Sequence, residues 1–306
     1  MSKLVWGNKA TVLLYFIADM HAITVEQDPA QLRERTYLAF AQLMALGVNP
    51  EKSVIFVQSQ VPQHAQFMWV LSCLTGVGEA NRMTQFKDKS AKGGASSASV
   101  GLLTYPILQA ADILLYRPHA VPVGEDQRQH LELTRDLAIR FNGRYGQTLV
   151  VPEPHIVKAT AKIMDLQDPS AKMSKSSPSG CVNLLDPLKT TEKKIRSAVT
   201  DSDTHIAFDP TNKAGVSNLL TILSAYSGQS IENLVDSFAG CMYGDLKKEV
   251  ASAVVAFVEP FQAKVFEILG DRAELDRIMG DGALRATQIA QETVADVYGK
   301  IGFAQS

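Results

Sequence analysis

An α/β domain built on a parallel sheet, followed by an all-helical domain, is the fold class predicted by three observations. Residues 11–18 and 53–58 are short, almost wholly apolar runs rich in β-branched and aromatic side chains, the pattern of strands buried on both faces of a parallel sheet. Between and after them lie stretches of helical length with their own start and stop signals, so strand, helix and strand follow in crossover order. Beyond Gly180 the pattern is helical almost to the end. The change of domain type is therefore placed at 180/181: residues 1–180 as the α/β domain and 181–306 as the helical one, the last helix being free to return to the first.

Composition narrows the function classes. The 306 residues carry 30 basic and 32 acidic side chains, a net charge of -2, so no global basic field advertises nucleic acid and any such partner must meet a local patch. Cys73, Cys181 and Cys241 lie far apart with no metal spacing, which suits reduced thiols and argues against a zinc or iron–sulfur site. No apolar run has the length of a membrane span and the N-terminal apolar segment is too short for a signal peptide, so no membrane partner is expected. The expected compartment is the cytoplasm, with a mitochondrial matrix as the alternative.

The first strand, 11–18, ends in Asp19, Met20 and His21, polar groups at the carboxyl end of a strand, where open α/β sheets bind ligands. His21 reads equally as a structural hydrogen-bonding residue. Asp28 as N-cap, Pro29 in the first turn and Gly47 as stop define a helix through Leu46. The second strand is 53–58. Pro62 then opens a helix to Leu74 whose Phe67, Trp69, Val70 and Leu74 are expected in the core, since aromatic residues at helical spacing usually pack. From Arg82 to Val100 three lysines, Lys87, Lys89 and Lys92, run into small residues, a second basic segment that reads either as a solvated loop or as a flap over a ligand.

Residues 102–116 are almost wholly apolar and of helix length, with Asp112 in their midst. A carboxylate there is costly without a partner, and no basic residue stands at i+3 or i+4. A ligand N–H, from an indole or an ammonium, would satisfy it; a distant backbone N–H or Arg117 would do so equally. Val121, Pro122 and Val123 form a short strand that turns through Gly124, Glu125, Asp126 and Gln127 into a helix from Arg128 to Phe141, placing acceptors and backbone N–H groups at a strand's carboxyl end. Residues 149–151 read as a further strand. In the helical part, Asp186-Pro187 starts one helix; 216–226 stopped by Gly228, 231–238, a run from 246 to 269 that Pro260 kinks or divides, 272–279 and 283–297 make up the rest.

Between the two parts lies Lys172-Met173-Ser174-Lys175-Ser176, followed by a Ser/Pro/Gly run too irregular for helix or strand. Two ammonium groups three apart and interleaved with hydroxyls suit a polyphosphate, because charge-assisted hydrogen bonds strengthen as negative charge develops. Taken alone, such a K-x-x-K run more often marks a solvated loop.

Together these runs resemble the bacterial and mitochondrial tryptophanyl-tRNA synthetases, from about Thr11 onward. Residues 172–176 are similar to the second signature of class I synthetases, and 19–25, 83–90, 105–116 and 121–127 are similar to runs of the tryptophan enzymes, in the same order. The resemblance implies a Rossmann-type nucleotide-binding domain, a helical anticodon-binding domain and a homodimer. It implies condensation of L-tryptophan with ATP to tryptophanyl-adenylate and transfer to tRNA(Trp). By motif position, Asp112 accepts from the indole N–H, Tyr105 and Gln127 hold the ammonium, and His21, Gln109 and Val123 line the same pocket. Gly124, Glu125, Asp126 and Ile163 contact ATP; Lys172, Met173, Ser174, Lys175 and Ser176 hold its pyrophosphate part, with Lys89 as an auxiliary. Mg²⁺ accompanies ATP, held mostly by phosphates and water, and no protein-bound metal is expected.

Two departures qualify the resemblance. Gln109 stands where members usually carry methionine. Members also begin with a strand, a Gln-Pro-Ser/Thr-Gly turn and a first signature, His-x-Gly-His or its Gly-Asn variant, for which residues 1–10 stand in here, with Gly7-Asn8 as the only trace. The expectation drawn from this is reduced activity, with a synthetase-like regulatory protein that binds tryptophan or tRNA as the alternative. A nicotinamide oxidoreductase is disfavoured because no G-x-G-x-x-G follows any strand, and a tyrosine-specific enzyme because the setting of Asp112 suits indole.

Overall fold

In the computed structural model, which describes residues 13–83, 99–124, 127–156 and 162–304, the chain divides into two compact units. One comprises Met1–Val157 and Ile268–Ser306, the other Lys158–Glu267. The expectations resting on residues 1–10, on Lys87, Lys89 and Lys92, and on Glu125 and Asp126 lie outside the described residues.

In the first unit β1 (Leu14–Ile17) pairs in parallel with β2 (Val54–Val57), Leu14 opposite Val54 and Ile17 opposite Val57. A short α1 (Asp19–Ala22) follows β1, and α2 (Pro29–Ala45) forms the crossover. That helix starts where its signals say: the Asp28 carboxylate accepts from Gln31 N at 2.8 Å, and Gly47 ends it at φ +94°. β2 is buried along its whole length, as a parallel strand covered on both sides must be. Val54 and Phe56 pack into one apolar cluster with Phe67, Leu71, Leu114 and Leu137; Ile55 and Val57 face the opposite way, into another with Phe40, Leu275 and Met279.

The remaining elements of this unit are α3 (Gln63–Ser72), α4 (Val77–Asn81), α5 (Val100–Leu114), β3 (Ala120–Val123), α6 (Arg128–Tyr145) and β4 (Glu153–Ile156), β3 and β4 forming a second parallel pair. Two expectations are corrected here. Trp69 is not core: it is 69% exposed, because the buried face of α3 runs through Phe67, Val70, Leu71 and Leu74, at i, i+3, i+4 and i+7, and Trp69 points off that stripe. Residues 149–151 form no strand. The main-chain N–H and C=O of buried Leu149 are instead taken by the Asn142 side chain, at 2.9 and 2.8 Å, and the strand forms at 153–156.

The second unit contains α7 (Leu188–Arg196), α8 (Ala214–Ser227), α9 (Ile231–Ser237) and most of α10 (Tyr243–Gly270); α11 (Arg272–Ile301) belongs to the first. The boundary expected at 180 lies earlier by contact, because Leu166, Ile163, Met173 and Val182 pack into the apolar cluster of Ile195, Val216, Leu219 and Val250. The lysine–serine loop therefore travels with the helical unit. Pro260 does not divide α10, which carries buried Val254 and Val258 before it and Phe261 and Val265 after it. Nor do Gly280 and Gly282 split α11 into two helices. A Cβ at Gly282 would lie 1.8 Å from the Ile55 carbonyl oxygen, so this glycine serves close approach of helix to strand rather than termination. Among the described residues no helix is long and apolar enough to cross a membrane.

Candidate active site

In the first unit, Ser99 caps α5, its hydroxyl accepting from Leu102 N at 3.1 Å, and the helix then presents Tyr105, Gln109 and Asp112 at i, i+4 and i+7 on one face. The Tyr105 hydroxyl lies 3.0 Å from His130 Nε2, and burial pushes this phenol up. Gln109 Nε2 donates to Gln127 Oε1 at 3.3 Å, and the His21 ring meets Tyr105 edge-on, centroids 6.2 Å apart. Val123 ends β3; Gly124 follows it, exposed, with its carbonyl accepting from Gln127 N at 3.0 Å. Asp19, at the end of β1, accepts from Ser59 N at 3.0 Å and from the Ser59 hydroxyl, tying the carboxyl ends of the two strands together.

Asp112 is 3% exposed and has its partners within the chain. His21 Nε2 donates to Oδ2 at 2.8 Å; His64 Nδ1 and Gln58 Nε2 donate to Oδ1 at 2.6 and 2.7 Å. Arg117, one partner considered from the sequence, pairs with Asp296 instead. Burial by itself pushes the Asp112 carboxyl up, but the hydrogen bonds from His21 and His64 outweigh it and hold the group below the usual carboxylate range. Asp112 is thus an ionised acceptor in an apolar wall. Gln58 is in turn fixed by Met20 N, which donates to its Oε1 at 3.2 Å.

In the second unit, the lysine–serine loop is pinned at its start and open at its tip. Lys172 forms an isolated antiparallel bridge with Met164, and Met173 N donates to the Ile163 carbonyl at 3.1 Å. Met173 is half-buried, whereas Lys172, Ser174, Lys175 and Ser176 are exposed, the two hydroxyls 2.6 Å apart. Among the described residues neither lysine has a carboxylate partner. Together with Lys162, Ile163, Met173, Ser174 and Cys181 they line a cleft of about 480 Å³. Beneath it Asp165 accepts from Gln167 N and Asp168 N at 2.8 and 3.1 Å; a hydrogen bond from Ser177 holds its carboxyl below the usual range, against the opposing effect of burial. A Cβ at Gly180 would lie 1.7 Å from Asp165 Oδ1, so the loop's return requires glycine.

The expected residues therefore gather as two sets: His21, Tyr105, Gln109, Asp112, Val123, Gly124 and Gln127 in the first unit, Ile163 and residues 172–176 in the second. Sequence reasoning missed Gln58, His64 and Lys162. Gln58 carries the signal that marked Asp19 and His21, a polar residue at the carboxyl end of a buried strand. Nothing local marks His64, whose meaning comes from Asp112, 48 positions away.

Parallel strands that present polar residues at their carboxyl ends, in a chain that also carries a pinned loop whose lysines have no carboxylate partner among the described residues, fit the organisation of a class I aminoacyl-tRNA synthetase. Comparison with known proteins narrows the class. The profile of the tRNA synthetases class I (W and Y) matches residues 1–259, and the chain belongs to that family. It is 61% identical over 294 residues to the tryptophan–tRNA ligase of Corynebacterium glutamicum, covering 95% of this chain and 85% of that one. It is 58% identical to tryptophan–tRNA ligase 2 of Streptomyces avermitilis, covering 94% and 86%. Among solved structures, the tryptophanyl-tRNA synthetase of Mycoplasma pneumoniae matches with a TM-score of 0.85 at 38% identity, covering 94% of this chain and 88% of that one. That of Campylobacter jejuni, complexed with ADP and tryptophan, matches with a TM-score of 0.81 at 36% identity, covering 94% and 89%.

Proposed function

We infer that the chain catalyses ATP-dependent activation of L-tryptophan to tryptophanyl-adenylate, with release of pyrophosphate, and then transfers the tryptophanyl group to tRNA(Trp). The observation that carries this reading is the 61% identity over 95% of the chain to a tryptophan–tRNA ligase. The site geometry is compatible with the following division of labour. Asp112, ionised and buried, accepts from the indole N–H; Tyr105 and Gln127 orient the ammonium; His21, Gln109 and Val123 wall the ring. Gly124 offers main chain to ATP, joined by Ile163, and by Glu125, Asp126 and Lys89 on the strength of the resemblance alone.

The tryptophan carboxylate oxygen attacks the α-phosphorus, the bond from that phosphorus to the bridging oxygen breaks, and pyrophosphate leaves with the electron pair. Lys172 and Lys175, with the Ser174 and Ser176 hydroxyls, follow the growing charge on pyrophosphate, so no protein nucleophile is needed. In the second step a terminal ribose hydroxyl of the tRNA attacks the adenylate carbonyl and AMP leaves. Mg²⁺ enters with ATP as part of the substrate. The proposal extends to a homodimer, to the cytoplasm as compartment, and to anticodon recognition by the helical unit.

The test is tryptophan-dependent exchange of pyrophosphate into ATP by the 306-residue chain, with tyrosine as control. Exchange with tryptophan alone is expected. Tryptophan binding without exchange would overturn activation and leave the regulatory reading. Asp112→Ala is expected to weaken tryptophan affinity by roughly tenfold or more, the worth of a hydrogen bond to a charged group, and undiminished affinity would remove Asp112 from the indole pocket.

A further inference from the structure

The buried partners of Asp112 on the side away from His21 have no assigned part in recognition. A carboxylate offers about four acceptor positions, two on each oxygen. Among the described residues, Oδ1 of Asp112 accepts from both His64 Nδ1 and Gln58 Nε2, at 2.6 and 2.7 Å, and is filled. Among the described residues Oδ2 accepts from His21 Nε2 alone, at 2.8 Å, which leaves it a second acceptor position for a ligand donor. Because a carboxylate cannot donate, His64 holds a proton on Nδ1, directed at Asp112. The Tyr116 hydroxyl lies 2.9 Å from the His64 Nε2. Burial, and then the charge of Asp112, push the Tyr116 phenol well up, so it remains a donor.

The His64 ring is fully buried and has little freedom to leave this arrangement. Phe16, Phe56 and Tyr116 surround it with ring centroids at 5.8, 5.9 and 5.6 Å. A chain of hydrogen bonds therefore joins the Tyr116 hydroxyl, through His64, to Oδ1 of Asp112, and so α3 to the C-terminal end of α5.

We propose that His64 and Tyr116 are positioning residues for indole recognition: by filling Oδ1 they turn the remaining acceptor position of Oδ2 toward the ligand and make it specific for a ring N–H. The proposal rests on the reading of Asp112 as the indole acceptor. It predicts that removing the His64–Tyr116 chain will cost discrimination between an N–H and its absence, more than general affinity.

The experiment is calorimetric titration of the full chain with L-tryptophan and with 3-benzothienyl-L-alanine, which replaces the ring N–H by sulfur at nearly constant shape. The wild-type chain is expected to favour tryptophan by about tenfold or more, as a hydrogen bond to a charged acceptor allows. His64→Leu should abolish that preference, and His64→Asn, whose amide can donate from near the Nδ1 position, should restore part of it. Tyr116→Phe removes the outer hydrogen bond that holds the His64 ring in place and should lower the preference severalfold while leaving ATP affinity unchanged. Wild-type preference retained in His64→Leu would overturn the proposal alone; if that variant does not fold, undiminished preference in Tyr116→Phe overturns it. A wild-type chain that binds both ligands equally removes the indole role of Asp112 and this proposal with it.

Discussion

The surroundings of Asp112 and the lysine–serine loop handle charge in opposite ways. Asp112 is a buried anion whose acceptor positions are mostly committed, to His21, Gln58 and His64, before any ligand arrives. Lys172 and Lys175 are exposed cations with no carboxylate partner among the described residues, above a base held by Asp165. On the proposed assignment of ligands, the difference follows from what each must meet. A neutral indole offers one weak donor, so selectivity requires a preorganised acceptor in low dielectric, where an unmade bond is expensive. A polyphosphate brings its own charge, so its partners can remain hydrated until it binds and need only be held close enough to follow the charge that develops.

The largest expected effect breaks this comparison on the loop side. Lys175→Ala should slow adenylate formation by about 10²-fold, the usual cost of losing one preorganised donor to a developing charge, while tryptophan affinity changes little. Single-turnover adenylation and equilibrium binding measure the two separately, and equal losses in both would mean that the regions are not functionally distinct.

A second, smaller pair of effects uses the two crowded glycines. Gly282→Ala places a methyl group 1.8 Å from the Ile55 carbonyl, in backbone that cannot yield cheaply. Overpacking of this kind costs about 1–3 kcal/mol, so a thermal unfolding midpoint lowered by several degrees is expected. Gly180→Ala meets the buried Asp165 carboxylate at 1.7 Å instead, so relief requires the loop base to give up the hydrogen bonds that Asp165 accepts from Gln167 N and Asp168 N. Its expected signature is a raised KM for ATP out of proportion to any fall in the unfolding midpoint. The reverse pattern would show that the loop base, and not the β2–α11 contact, is the rigid element.

The smallest expected effect concerns acid. Asp112 has a folded-state pKa below its unfolded value, so its contribution to stability is present above the unfolded value, about 3.9, and is lost as pH falls through the depressed folded one. Urea midpoints of the wild-type chain should therefore drop as pH falls below about 4. Asp112→Asn should flatten part of that drop without altering the slope above pH 5, and superimposable curves would show the carboxylate to be energetically silent.

Much of this was legible in the chain itself. Asp28, Pro29 and Gly47 bound α2, the apolar run from Leu102 marks α5, and the uninterrupted apolar stretch of β2 announces a strand covered on both faces. These signals are local, carried by neighbouring residues and by backbone preferences that act over a few positions. Motif order was equally legible, because residues 19–25, 105–116 and 172–176 hold their chemistry within single short runs.

What only the tertiary structure decided lies between such runs. Asp112 reads as an orphan along α5, and its partners arrive from α1, the end of β2 and the start of α3, 91, 54 and 48 positions away. Residues 280–282 read as a break between two helices until the Ile55 carbonyl is placed against Gly282, and residues 163–180 read as the tail of the α/β part until they pack among α7, α8 and α10. The physical reason is common to all three. A sequence pattern records what each residue prefers next to its neighbours, whereas burial and hydrogen-bond satisfaction are settled by whatever distant group comes to occupy the remaining space.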